Sequence, residues 1–308
     1  MKDKKTVSGH IAALITILIW GLTFISTKIL LVDFSPEEIV FFRFVLGFIA
    51  LLCIYPHRLK LTSRKQEWLF VFAGLCGVTL CYMLQNYALT YSLASNIGVA
   101  VSVSPFFTAI FARFISKEEK LRPSFFIGFV AAITGIAFMS FSGSDGFEFH
   151  PLGDILAIGE AAVWAIYSLL TKKISGYGYN PIAVTRRVFF YGLVFMAPLL
   201  FFTDFRLGLE RFADLNNLLN MLFLGLAASA LCFLTWNYAV KILGAVKTSV
   251  YIYLVPIVTI ISSVLFLHEK ITLLSAIGML LALFGLLISE LKSFRIKNPK
   301  ESLTDSVE

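Results

Sequence analysis

The chain has 308 residues, 58% hydrophobic and 15% charged, against about 45–50% and about 25% in ordinary soluble domains. A water-soluble fold has nowhere to bury that much apolar surface. The net charge of +7 is spread in short clusters between apolar runs, which argues against nucleic acid as a partner and for a protein embedded in the lipid bilayer.

Ten apolar runs follow one another, each long enough at about 1.5 Å per residue to cross a hydrocarbon core of about 30 Å. The first, Ile11 to Leu31, follows Lys2, Lys4 and Lys5 as a signal peptide would. It is too long for a signal segment and lacks a small-x-small cleavage site, so it counts as a span. The others are 36–55, 67–88, 95–116, 123–142, 152–172, 181–203, 217–240, 244–267 and 271–290. The longest connection, Thr203 to Asn216, is too short for a domain, and residues 292–308 form a polar tail. Cys53, Cys76, Cys81 and Cys232 all fall in spans without a C-x-x-C or a histidine at ligand spacing. They read as small packing residues, and no metal or cofactor is expected.

Loop charges orient the chain. With the N-terminus inside, inner segments carry 18 Lys and Arg and outer ones only Arg206, Arg211 and Lys270. The split predicts a multi-pass protein of the cell membrane with both termini cytoplasmic.

The sequence also repeats itself. At an offset of 151, Asn86-Tyr87-Ala88, Pro105 and Glu118 recur as Asn237-Tyr238-Ala239, Pro256 and Glu269, within 13 identities over 45 aligned positions. Trp20 with Thr27-Lys28 matches Trp164 with Thr171-Lys172 at an offset of 144, and Gly128, Ala132, Gly135 matches Gly278, Ala282, Gly285. Self-similarity of this kind marks a duplicated unit. Five spans per unit is an odd number, so the second copy enters from the opposite side. The expected fold is all-α, with ten transmembrane helices as two inverted-topology repeats, 8–142 and 152–291.

Trp20-Gly21 in the first helix, Arg43 early in the second, Asn86-Tyr87-Ala88 ending the third, Pro105 midway through the fourth and Glu118 at its end resemble the EamA domains of the drug/metabolite transporter superfamily. In the second half Ala165 stands where Gly21 does, and Arg43 aligns with either Arg186 or Arg187. The resemblance covers about residues 8 to 291. It implies a carrier of small metabolites, often amino acids and often outward, whose path is lined by helices one, three, four, six, eight and nine.

Candidate site residues follow from placement. Glu160 is an acidic residue deep in a span, where insertion scales put an Asp at about 2.5–3.5 kcal/mol, so it needs a partner or a wet cavity. Glu160, Trp164 and Tyr167 share one helical face and could hold an ammonium group through charge and cation–π attraction; Glu160 could equally carry a proton, or pair structurally. Trp20 and Thr23 form the counterpart face on the first helix. Gln85 and Trp236 differ at equivalent positions and are candidates for substrate contact, as are Ser102 and Tyr253. Asn86 and Asn237 read as interhelical glue, and Pro105 and Pro256 as symmetric kinks or hinges. Lys28 reads as a snorkelling residue. Glu118 and Glu269 are either gate residues latched by a nearby cation or solvated helix ends.

These residues predict a secondary transporter for an amino acid or related zwitterion, with an organic cation as the alternative cargo and proton coupling open. A lipid-modifying membrane enzyme would cluster Asp, His or Lys at one interface, whereas His10, His57, His150 and His268 stand at four different helix ends.

Overall fold

The computed structural model describes residues 2–116, 123–140, 151–203 and 205–290. Glu118 and the tail 292–308 lie outside the described residues. The described chain forms ten helices: α1 (Lys2–Leu30), α2 (Pro36–Ile54), α3 (Arg64–Tyr91), α4 (Ala94–Phe114), α5 (Pro123–Ser140), α6 (Pro151–Ser175), α7 (Pro181–Leu200), α8 (Leu215–Leu243), α9 (Ala245–Phe266) and α10 (Leu273–Glu290). Seven are long and apolar enough to cross a membrane; α5 and α10 contain shorter apolar stretches, and α2 carries Glu37, Glu38 and Arg43. Helices keep every backbone group bonded within the segment, which lipid requires. The protein is an all-α membrane protein of ten transmembrane helices in two inverted five-helix repeats.

The expected boundaries hold within three residues except at the start. There α1 begins at Lys2 instead of Ile11, because Ser8 bonds Tyr238 at 2.7 Å and His10 bonds Tyr251 at 2.5 Å. Hydropathy marks the part of the helix in lipid, not the helix end. The helices α2 and α7 open alike, with Pro36 after the side-chain cap Ser35 and Pro181 after the cap Asn180. An offset of 145 then pairs Phe44 with Phe189, Gly47 with Gly192, and Arg43 with Val188. This corrects the alignment of Arg43 with Arg186 or Arg187. Those two arginines sit nearer the helix start and tie down the α2–α3 connection: Arg186 donates to the Tyr55 and His57 carbonyls, and Arg187 to Leu59 and Glu67.

The repeats interlock crosswise. The first helix of each, α1 or α6, packs against the third and fourth of the other. Both third helices are wound as π-helix over part of their length, Leu75–Leu80 and Phe223–Leu231. Both fourth helices tighten to 3₁₀ turns at Val101–Val103 and Val250–Leu254, just ahead of Pro105 and Pro256. Proline has no N–H to give, so it suits the start of the α-helical stretch that follows each tight turn.

At the far side of the bundle α5 packs on α10 through the small-residue pattern. A Cβ on Gly135 would lie 2.4 Å from the Gly278 carbonyl oxygen, and one on Gly285 2.6 Å from that of Gly128. The glycines serve backbone contact, as in other close helix pairs in lipid. Gly135→Leu should therefore cost about 1–3 kcal/mol by overpacking, measured by reversible unfolding in mixed micelles. Val130→Leu, on the exposed face of the same helix, should leave stability unchanged.

Candidate functional site

A cavity lies between α1, α3, α4, α6 and α9. Its wall takes Trp20 and Thr23 from α1, Cys81, Tyr82 and Gln85 from α3, Val101 and Ser104 from α4, Glu160 and Trp164 from α6, and Ile252 and Val255 from α9. A 3₁₀ turn has three residues, so positions i and i+3 share a face. That is why Val101 with Ser104, and their counterparts Ile252 with Val255, reach the cavity. The centre of a water molecule can move through about 50 Å³ here, room for a few waters. The walls must part before an organic solute fits.

The polar atoms of the wall are unevenly satisfied. Glu160 Oε1 accepts a long bond from the Cys81 thiol at 3.9 Å, while Oε2 is buried without a partner among the described residues. Trp164 Nε1 and Ser104 Oγ are likewise buried and unpartnered. By contrast, Trp20 Nε1 donates to the Ala228 carbonyl at 3.0 Å, and Ala228 lies in the π-wound part of α8. The Trp20 ring meets Trp164 edge to face at 4.9 Å. The residues of the wall thus carry one acidic acceptor, one indole donor and one hydroxyl without partners, beside aromatic rings and closed to water in this state. Such a set suits a solute with both a donor-rich cationic end and an acceptor-rich anionic one.

Of the residues singled out from sequence, Glu160, Trp164, Trp20, Thr23 and Gln85 stand on this wall. Four others do not. Ser102 is buried with its hydroxyl on the Val99 carbonyl, and Tyr253 packs towards Phe106, because the 3₁₀ turns bring their neighbours to the cavity instead. Tyr167 is fully buried behind Trp164, with its hydroxyl on Asn237 Oδ1 at 3.1 Å. Trp236, also fully buried, stacks 5.1 Å from Trp20 and 5.8 Å from Trp164. It fills the half of the bundle that its counterpart Gln85 leaves open, which sets the cavity off the pseudo-symmetry axis.

Sequence reading missed Tyr82 and took Cys81 for packing; their spacing with Gln85, at i, i+1 and i+4, is the signal that one face of α3 looks inward. Asn86 donates to the Pro36 carbonyl at 3.0 Å and Asn237 to Thr185 Oγ1 at 3.3 Å, both across helix interfaces.

The sequence model of the EamA-like transporter family matches residues 7–141 and 151–291. The chain belongs to that family. Among similar EamA proteins, an "Uncharacterized transporter" of Archaeoglobus fulgidus is 28% identical over 92% of this chain and 97% of its own length. A "Probable amino-acid metabolite efflux pump" of Escherichia coli is 25% identical over 91% and 93%, and its Salmonella typhimurium namesake is 24% identical over 92% and 95%. A solved crystal structure superposes with a TM-score of 0.62 at 19% identity, covering 97% of this chain and all of the other, a likeness of fold.

In this EamA transporter the end of the bundle bearing Lys28 is tied together by polar contacts. Lys28 does not snorkel: its Nζ donates to the carbonyls of Leu89 at 2.5 Å and Ser92 at 2.9 Å, in the α3–α4 turn. From the α9–α10 connection, Glu269 accepts from the Ala94 and Ser95 amides at 2.8 and 3.2 Å and from Ser95 Oγ at 2.7 Å. A left-handed His268, with φ of 53°, bends the chain so that the carboxylate reaches across. Leu93, the residue before α4, has no side chain able to cap, so Glu269 supplies the cap from the α9–α10 connection and meets the positive end of the α4 dipole. Charge-assisted bonds of this type contribute about 1.5–3 kcal/mol. Glu269→Ala should therefore speed hydrogen exchange at the Ala94 and Ser95 amides by about tenfold or more, read by mass spectrometry; unchanged exchange would show that the carboxylate holds nothing.

Proposed function

We propose that the protein exports a small zwitterionic metabolite, an amino acid or a close relative, across the cytoplasmic membrane by alternating access. The observation that carries this reading is the pairing of unpartnered groups on the wall: Glu160 Oε2 for an ammonium, Trp164 Nε1 and Ser104 Oγ for a carboxylate. The efflux pumps named among the relatives support both the class of cargo and the outward direction.

With both termini in the cytoplasm, as the loop charges have it, the Lys28–Glu269 clamp is the outer gate, and it is closed. Repeats 8–142 and 152–291 each gate one side of the shared site. Pro105 and Pro256, with the 3₁₀ turns before them, are the joints at which α4 and α9 bend during the exchange. Glu118, the counterpart of Glu269, is assigned the inner gate. Glu160 holds either a proton or the ammonium of the cargo, so that a proton arriving from outside displaces cargo to the outside, and cargo arriving from inside displaces the proton to the inside. The rings of Trp20, Trp164 and Tyr82 around Glu160 favour an organic cation as the second reading.

Reconstituted vesicles loaded with a panel of amino acids and organic amines, with and without a pH gradient, test the proposal. Wild type should move at least one amino acid. Glu160→Gln should lower that flux about tenfold or more, as expected for loss of a charged hydrogen bond, and should remove its dependence on the pH gradient. Normal flux by Glu160→Gln across pH, or flux restricted to amines, contradicts the zwitterion reading.

A further inference from the structure

Arg43 lies just behind the cavity, wholly buried in α2. Its guanidinium carbon is 4.2 Å from the ring centroid of Tyr82 and 5.4 Å from that of Phe44. Nε donates to Ser229 Oγ at 3.0 Å, whereas Nη1 and Nη2 have no hydrogen-bond partner among the described residues, and Arg43 makes no ion pair there. The Tyr82 ring under the guanidinium stands on the cavity wall beside Cys81, whose thiol reaches the Glu160 carboxylate at 3.9 Å.

Repeat architecture does not require this charge. The positions equivalent to Arg43 and Ser229 in the other half are Val188 and Val78, and both are apolar and buried. A buried arginine without an ion pair is costly, and arginine does not shed its proton to escape the cost. Retaining it therefore calls for a use, and the ring that it overlies shares the cavity wall with the Glu160 carboxylate.

We propose that Arg43 sets the charge selectivity of the site, making the bundle's centre neutral with Glu160 so that net-neutral zwitterions are accepted and solutes with a net positive charge are disfavoured. The inference rests on the zwitterion reading above and deepens it. An ammonium placed on Glu160 cancels that carboxylate and leaves Arg43 uncompensated unless the solute brings its own negative charge. Water is scarce between the two, so the penalty acts across Tyr82 without contact. Arg43 is thus a specificity element that rejects the wrong charge rather than a ligand for the right one.

The test is competition binding at about pH 6 to the purified full-length protein with alanine, leucine and phenylalanine, each against its methyl ester, which at that pH keeps the ammonium and side chain and carries a net positive charge. Wild type should favour the amino acid over its ester by about tenfold or more. Arg43→Met should shrink that ratio to about threefold or less, chiefly by tighter ester binding. Replacing a buried charge with an apolar side chain of similar length is frequently tolerated, and Arg43→Gln serves if Met does not fold. Arg43→Lys should keep the wild-type ratio, as should Ser229→Ala, which removes the Nε bond and leaves the charge. An unchanged ratio in folded Arg43→Met or Arg43→Gln overturns the role of Arg43 alone. A wild type that favours the esters overturns it whatever the variants do. Binding of neither series refutes the zwitterion reading, and the inference falls with it.

Discussion

Charge in a low-dielectric interior is the constraint on which the rest of this structure depends. Glu160 and Arg43 are both buried in the bundle, and neither has an ion-pair partner among the described residues. Each alone would be expelled by the desolvation cost. Their mutual field, the Tyr82 ring and the few waters that the cavity can hold make the arrangement tolerable. It also leaves the site poised to gain from a solute that completes the missing contacts, which is what a carrier needs from its binding site.

The helices around that site depart from α geometry in pairs related by the repeat. In a π-wound segment the backbone bonds shift by one residue, which frees carbonyls from their usual donors; the Ala228 carbonyl, within such a segment, receives the indole of Trp20. Tightened 3₁₀ turns do the complementary work in α4 and α9, turning Ser104 and Val255 to the cavity. Symmetry sets the frame, and departures from it make the site. Trp236 plugs one half where Gln85 opens the other, and Glu160 stands where the first repeat has Thr16.

Much of this was legible in the sequence. Ten spans, their repetition and their inversion follow from hydropathy, an offset of 151 and the arithmetic of an odd number of crossings. The face of Glu160 and Trp164 followed from regular helical spacing, because α6 is α-helical throughout. The same rule failed for Ser102 and Tyr253, since no periodicity in the sequence announces a 3₁₀ turn. Arg43 was visible as a residue but not as a neighbour of Tyr82 on the cavity wall: that proximity comes from α2 and α3 packing together, a relation that the one-dimensional pattern does not hold. Lys28 was misjudged, and the partners of Glu269 were missed, for a similar reason. Each finds its partners in a turn far away along the chain, at Leu89 to Ser95.

Three of the four tryptophans, Trp20, Trp164 and Trp236, stack on one another at this site, while Trp68 is 63% exposed elsewhere. Their emission is therefore a direct reporter of whether the cavity is where solute binds. Titrating the purified protein with an amino acid should give a saturable change in tryptophan fluorescence that persists when Trp68 is replaced by Phe and disappears in Glu160→Gln. Saturable binding that leaves the emission unchanged, or a change indifferent to Glu160, would place the binding site elsewhere and contradict the account.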